Sequence, residues 1–166
     1  MDAVARLIAH DEIRMLAARY SLAMDSRDLD TLVDLFVPDV RGGEETGRAA
    51  LKRSFTAMLA GIRQSILFVA GHVIDVDDDD HAHGVVYARG ELEIDGTWVV
   101  QAIQYQDTYE RRDGRWLFVR RKHLLWYGAE LGKSPEGLPP ANWPANTTGT
   151  GTLPEAWVTW RRFQAE

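Results

Sequence analysis

Tyr20, Asp25, His72, Gln101, Tyr105, Arg121 and His123 are the side chains whose types and spacing could carry acid–base chemistry on a small molecule. Asp25 closes the apolar stretch RYSLAMD, five residues after Tyr20. It is either a surface carboxylate in a turn or an acid/base group at the mouth of a pocket. Five residues are about 140° apart on an ideal helix, so the two converge only where the helix ends or bends between them. On the segment RWLFVRRKHLLWY, Arg121, His123, Leu125 and Tyr127 share one face of a strand. Trp116, Phe118, Arg120, Lys122, Leu124 and Trp126 share the other. Both faces mix apolar and basic residues, so parity alone leaves the inward one open. On the segment before it, Val99, Gln101, Ile103, Tyr105, Asp107 and Tyr109 share a face. A histidine held by a carboxylate in an apolar cavity is a general base near neutral pH. A nearby arginine stabilises charge developing on an oxygen or a halide. If the face of Arg121 and His123 is the inward one, Gln101, Tyr105, Arg121 and His123 are the polar members of an otherwise apolar pocket.

Helices and strands must position these groups. Ile13, Leu16, Ala17 and Tyr20 follow the spacing of one buried helical face, and the helix ends near Asp25–Ser26. Asp28 is placed to cap a short second helix carrying Leu32, Leu35 and Phe36, which Pro38 stops. RGGEETG (41–47) is a loop or weak hairpin. A third helix from Arg48 carries Leu51, Phe55, Met58, Leu59 and Ile62 on one stripe. After Gly61 the chain is rich in β-branched and aromatic residues. Asp95–Gly96 and Asp113–Gly114 are hairpin signals of the type I′ kind, and DDDD (77–80) separates two further strands. Thr97 to Arg112 would span about 50 Å if straight, at ~3.3 Å per residue, so this strand should bend or bulge. The fold class is therefore α+β: N-terminal helices packed in a strongly curved antiparallel sheet, a cone-shaped half-barrel. Residues 1–128 form this body. Residues 129–166 are a tail whose end, PEAWVTWRRF, places Trp157, Trp160 and Phe163 on a short helix against the body or a neighbouring subunit.

The totals narrow the partners. At 166 residues one domain is expected. A net charge of -6 argues against nucleic acid and anionic membranes. No apolar run is long enough to span a bilayer, and acidic residues interrupt the N-terminus too early for a secretory signal. The absence of cysteine removes thiolate chemistry and fits the cytoplasm. The acidic turn with His81 and His83 reads as a solvated hairpin tip, and no metal site is expected. The six tryptophans suggest a large cavity wall, a subunit interface or both, hence a homo-oligomer, dimer or trimer.

The order of motifs resembles the nuclear transport factor 2-like superfamily, in its SnoaL-like polyketide cyclase and scytalone dehydratase-like branch. The resemblance rests on IRMLAARYSLAMDSRDLDTLVDLFVPDV, GHVIDVDDDDHAHG and YQDTYERRDGRWLFVRR, which together span residues 13–127. It implies an apolar cone-shaped cavity and, in the enzymes, cofactor-free acid–base chemistry. It matches Asp25 to a carboxylate that orients a catalytic histidine, Tyr20 to a tyrosine that assists an oxygen, and Arg121 to an arginine that helps a leaving group. The Arg121 match favours the His123 face as the inward one. The family histidine falls near Phe68 or Val69, where this chain reads ILFVA. His72 is the displaced candidate, on one face with Phe68 and Ala70 if alternation is regular. The resemblance thus implies a lyase or isomerase of the dehydratase, isomerase or cyclase type. Its substrate would be a hydrophobic cyclic molecule such as a polyketide, steroid or aromatic-pathway intermediate. The missing histidine keeps an alternative open: a non-catalytic ligand-binding or oligomer-forming member, such as a small subunit of a ring-hydroxylating dioxygenase.

Overall fold

The computed structural model describes residues 1–133 and 137–151. The expected helix at Trp157, Trp160 and Phe163 lies outside the described residues. Helix α1 (Ala3–Ser26) starts where the Asp2 carboxylate accepts the Ala5 N–H, and it stops at Arg27 in the left-handed region (φ 60°). Its buried stripe is Ala9, Ile13, Leu16, Ala17, Tyr20 and Ala23. Helix α2 (Leu29–Asp34) is capped as expected, the Asp28 side chain accepting the Thr31 N–H. A two-residue hairpin, β1 (Arg41–Gly42) with β2 (Glu45–Thr46), leads into α3 (Arg48–Leu59).

The second half is an antiparallel meander: β3 (Gln64–Val76), β4 (His81–Ile94), β5 (Thr97–Arg112) and β6 (Arg115–Glu130). A fifth strand, β7 (Gly149–Thr150), adds to β6 from the tail and was not legible beforehand. The sheet runs β3-β4-β5-β6-β7 and does not close. Asp95–Gly96 and Asp113–Gly114 both turn with positive φ at each residue, as a type I′ hairpin requires. Tyr20, Phe36, Phe118 and Tyr109 meet in the main core, where the helices fill the concave side of the sheet.

Three bulges bend the sheet and set which side chains face inward. On β3, Ala70 and Gly71 together oppose Tyr87, between the pairs Val69↔Ala88 and His72↔Val86. On β6, Val119 and Trp126 are the extra residues. The bending expected of β5 is thus supplied by its partner strand. β5 has no extra residue of its own, and Val99, Gln101, Ile103, Tyr105, Asp107 and Tyr109 are all buried, with Gln104 buried on the other face. On β6 regular alternation fails: Phe118 and Arg121 are on the same side, because the Val119 bulge switches parity between them. No helix among the described residues is long and apolar enough to cross a membrane.

Candidate active site

The concave side holds a cavity of about 900 Å³. Its apolar wall comes from α1, α3, the segment that follows α2 and the sheet, including Met24, Phe36, Phe55, Met58, Leu67 and Ile103. Tyr20, Asp25, Gln101, Tyr105, Arg121 and His123 are polar members of the lining. Helix α1 runs unbroken past Asp25, so the convergence expected from a helix end between Tyr20 and Asp25 does not occur. Both residues reach the space because it extends along the helix, over the roughly 7.5 Å that five residues rise.

Arg121 is the centre of the site. Its guanidinium carbon lies 4.3 Å from the ring centroids of Tyr20 and Tyr105 and 4.5 Å from that of Phe118. Asp107 accepts from Nε at 3.0 Å and from Nη2 at 2.9 Å. Both side chains are out of solvent, at 3% and 0% exposure. Burial opposes the arginine's charge, but Asp107 and the two phenols hold its pKa above the ordinary value. The third nitrogen, Nη1, is buried without a partner.

His123 stacks on Tyr105, centroids 5.3 Å apart, and meets the Trp143 ring edge-on at 4.9 Å. Its Nε2 is also buried without a partner. Burial, with the Arg121 charge second, depresses its pKa to about 4, so the ring is neutral at neutral pH. Burial pushes Tyr20 up to about 12 and raises Tyr105 further, so both phenols stay protonated. Gln101 is fully buried and donates its side-chain amide to the Thr147 carbonyl at 3.0 Å.

Asp25 and His72 do not form the pair that the sequence led us to expect. Both Asp25 oxygens accept the Leu67 N–H at 3.1 Å, so the carboxylate occupies the free edge of β3. Burial raises its pKa, partly offset by that bond and by Arg27. His72 is not part of the cavity lining. The Ala70–Gly71 bulge turns it inward while Phe68 and Ala70 face solvent, which overturns their expected common face. There it bonds Tyr109 Oη through Nε2 at 3.0 Å, and Tyr109 donates to Asp107 at 2.9 Å. The single phenolic proton goes to the carboxylate, which only accepts, so His72 must donate from Nε2. A buried chain therefore runs His72, Tyr109, Asp107, Arg121, ending at the cavity. Asp107 and Tyr109 were not among the site residues expected from the sequence. The usable signal was their place on the alternating face of β5, across from the basic segment of β6.

At the tip of the β3–β4 hairpin, His81 contacts Asp78 and His83 contacts Asp77 at 3.0 Å, all exposed. Among the described residues no group of three or more histidine and carboxylate side chains is placed to hold a metal ion.

The SnoaL-like domain profile matches residues 5–122. No curated protein sequence matches the chain. Among solved structures, a scytalone dehydratase candidate from Novosphingobium aromaticivorans superposes with a TM-score of 0.70 at 20% identity, covering 80% of this chain and 99% of that one. A hexachlorocyclohexane dehydrochlorinase, LinA type 3, from Novosphingobium barchaimii gives 0.70 at 20%, covering 80% and 97%. An aromatic ring hydroxylase candidate, also from Novosphingobium aromaticivorans, gives 0.62 at 22%, covering 71% and 90%. At these identities the likeness is one of fold. With the open five-stranded sheet, the helices in its concavity and the profile match over most of its length, the chain belongs to the SnoaL-like domain family of the nuclear transport factor 2-like superfamily.

Proposed function

We propose that the protein is a cofactor-independent lyase or isomerase acting by acid–base chemistry on a hydrophobic cyclic molecule, such as a polyketide, steroid or aromatic-pathway intermediate. The observation that carries this reading is the pair Arg121 Nη1 and His123 Nε2, both buried and unpartnered on the wall of a cavity lined mostly by apolar and aromatic side chains. Each unsatisfied group costs about 1–3 kcal/mol, which a ligand oxygen or acidic proton would recover. In this reading Arg121 Nη1 donates to the oxygen on which charge develops. Neutral His123 takes or returns the proton. Asp25, with its raised pKa, is the second acid–base group, and Tyr20 and Tyr105 are neutral donors. His72 keeps a role one layer back, positioning Arg121 through Tyr109 and Asp107. Proton removal beside a carbonyl, followed by loss of a β-substituent or return of the proton elsewhere, needs no further group.

The test is a turnover screen of cyclic hydroxyketones with the wild type, His123→Gln and Asp25→Asn. For a substrate so found, His123→Gln should lower kcat by about 10²–10⁴-fold. Unchanged turnover in both variants would defeat the assignment.

One observation favours a non-catalytic binding role: among the described residues no carboxylate of the cavity lining bonds an imidazole, and Asp25 is engaged by Leu67. That reading gives tight binding of the same ketones with no conversion, in the wild type as in the variants.

A further inference from the structure

Residues 139–151 return to the sheet beside the cavity, place Trp143 in its lining and are held by hydrogen bonds. The Ala141 N–H donates to the Thr150 carbonyl at 2.9 Å and the Thr150 N–H to the Pro139 carbonyl at 2.8 Å, which ties the strap to itself. The Gly151 N–H donates to Trp126 at 2.7 Å, and the Gln101 amide holds Thr147 from beneath. Between these anchors stands Trp143. Its indole packs against two separate apolar clusters, one around Val86, Ile103 and Leu125 and one around Leu59, Ile62 and Leu92. A second, outer cleft of about 290 Å³ lies on its far side, lined by Ile94, Pro144 and Asn146 among others. Met58, Ile62 and Trp143 are the residues common to both spaces. Trp143 also meets the His123 ring edge-on.

We propose that Trp143 is the specificity-determining partition of this site: its indole closes the main cavity at His123 against the outer cleft and so sets how far a cyclic ligand extends past that imidazole. With the indole in place the site takes a compact ring system. Without it, a ligand carrying one more apolar ring or a short aliphatic arm enters the outer cleft. Met58 lies in the last turn of α3 and Ile62 just beyond its end, whereas Trp143 comes from the loop that leads into β7. Residues 139–151 lie beyond the stretch that matches the family profile, so this wall belongs to the chain's own tail. The ligand half of the proposal rests on the cavity being the binding site argued above; the partition itself rests only on geometry.

Two measurements keep these apart. The first is carbethoxylation of the intact protein by diethylpyrocarbonate, read peptide by peptide by mass spectrometry. It makes no assumption about turnover. His81 and His83, exposed at the hairpin tip, are internal standards. In Trp143→Ala, modification of His123 should rise at least tenfold relative to those two, with a smaller rise in Trp143→Phe. An unchanged ratio in a variant that still unfolds cooperatively overturns the partition. Should Trp143→Ala fail to fold, Trp143→Leu decides on the same criterion. The second is calorimetric titration with 1-tetralone and anthrone, two and three fused rings. Trp143→Ala should shift preference toward anthrone by at least tenfold. An unchanged preference, binding of neither ketone included, overturns the specificity claim. If the partition opens as expected but no ketone is converted by the wild type, the lyase reading fails and the partition stands.

Discussion

At the scale of the residue, the site is defined by what burial does to single groups. His123 has Tyr105, Trp143 and Arg121 as neighbours, none of which carries a negative charge to offset the burial of an imidazolium. Its folded pKa of about 4 lies below the ordinary histidine value near 6.5. Above pH ~6.5 the group is neutral in both states and contributes nothing. As pH falls from there to about 4, the unfolded chain takes up a proton that the folded protein refuses, so stability is lost through that window. The full loss attributable to His123 is up to about 3 kcal/mol. His123→Gln should therefore flatten this part of the stability curve, in urea unfolding at pH 7, 5.5 and 4.5. A variant curve parallel to the wild type would show that the ring is freely hydrated. Arg121 is the opposite case. Its charge is retained because Asp107 accepts two of its hydrogen bonds, leaving Nη1 for the cavity.

At the scale of the element, the bulges decide which of these residues can act. The sequence carried the helix stripe, the Asp28 cap, both Asp–Gly turns and the whole inward face of β5, because each follows from local spacing. It did not carry the bulges, whose positions depend on how two strands fit around a curved core. Counting back from the Asp113–Gly114 turn sets Asp107 opposite Arg120; the extra residue Val119 makes it Arg121 instead. The same kind of slip on β3 took His72 off the face of Phe68 and Ala70 and gave it to Tyr109. Tyr20, Gln101 and Tyr105 were legible from helix and strand spacing, whereas Asp25, Arg121 and His123 needed the family resemblance to single them out. The bulge is testable. A Cβ on Gly71 would meet only Tyr87, at an ordinary 3.7 Å, so Gly71→Ala should be neutral within ~0.5 kcal/mol. Deleting Gly71 instead forces one half of β3 through a one-residue slip, turning Ile74 out or Leu67 and Val69 out. That should cost about 2–4 kcal/mol by urea denaturation. Similar stabilities for the two variants would mean that the pairing of β3 absorbs the change elsewhere.

At the scale of the whole molecule, an open sheet needs its last edge and the end of its cavity covered, and the tail does both. β7 pairs with β6 at Tyr127↔Thr150 and Gly128↔Gly149, so the strap that carries Trp143 is also the edge strand of the sheet. The fit at Gly128 leaves no room for a side chain: a Cβ there would run into the Thr147 carbonyl, the same carbonyl that Gln101 holds. Gly128→Ala must therefore push the strap off β6 or distort β6 itself. Overpacking of this kind costs about 1–3 kcal/mol. The location of the damage matters more than its size. If the strap is the part that yields, amide exchange at Ala141, Thr150 and Gly151 should accelerate while the β4–β5 ladder stays protected, since those three N–H groups donate to the Thr150, Pro139 and Trp126 carbonyls, within the strap or on β6. The cavity would open at the His123 end, and an apolar dye such as anilinonaphthalene sulfonate would gain fluorescence on the folded protein. Uniformly faster exchange across β4 and β5 would show instead that the strap is integral to the sheet's cooperative unit, and that closing the cavity and folding the sheet are one event.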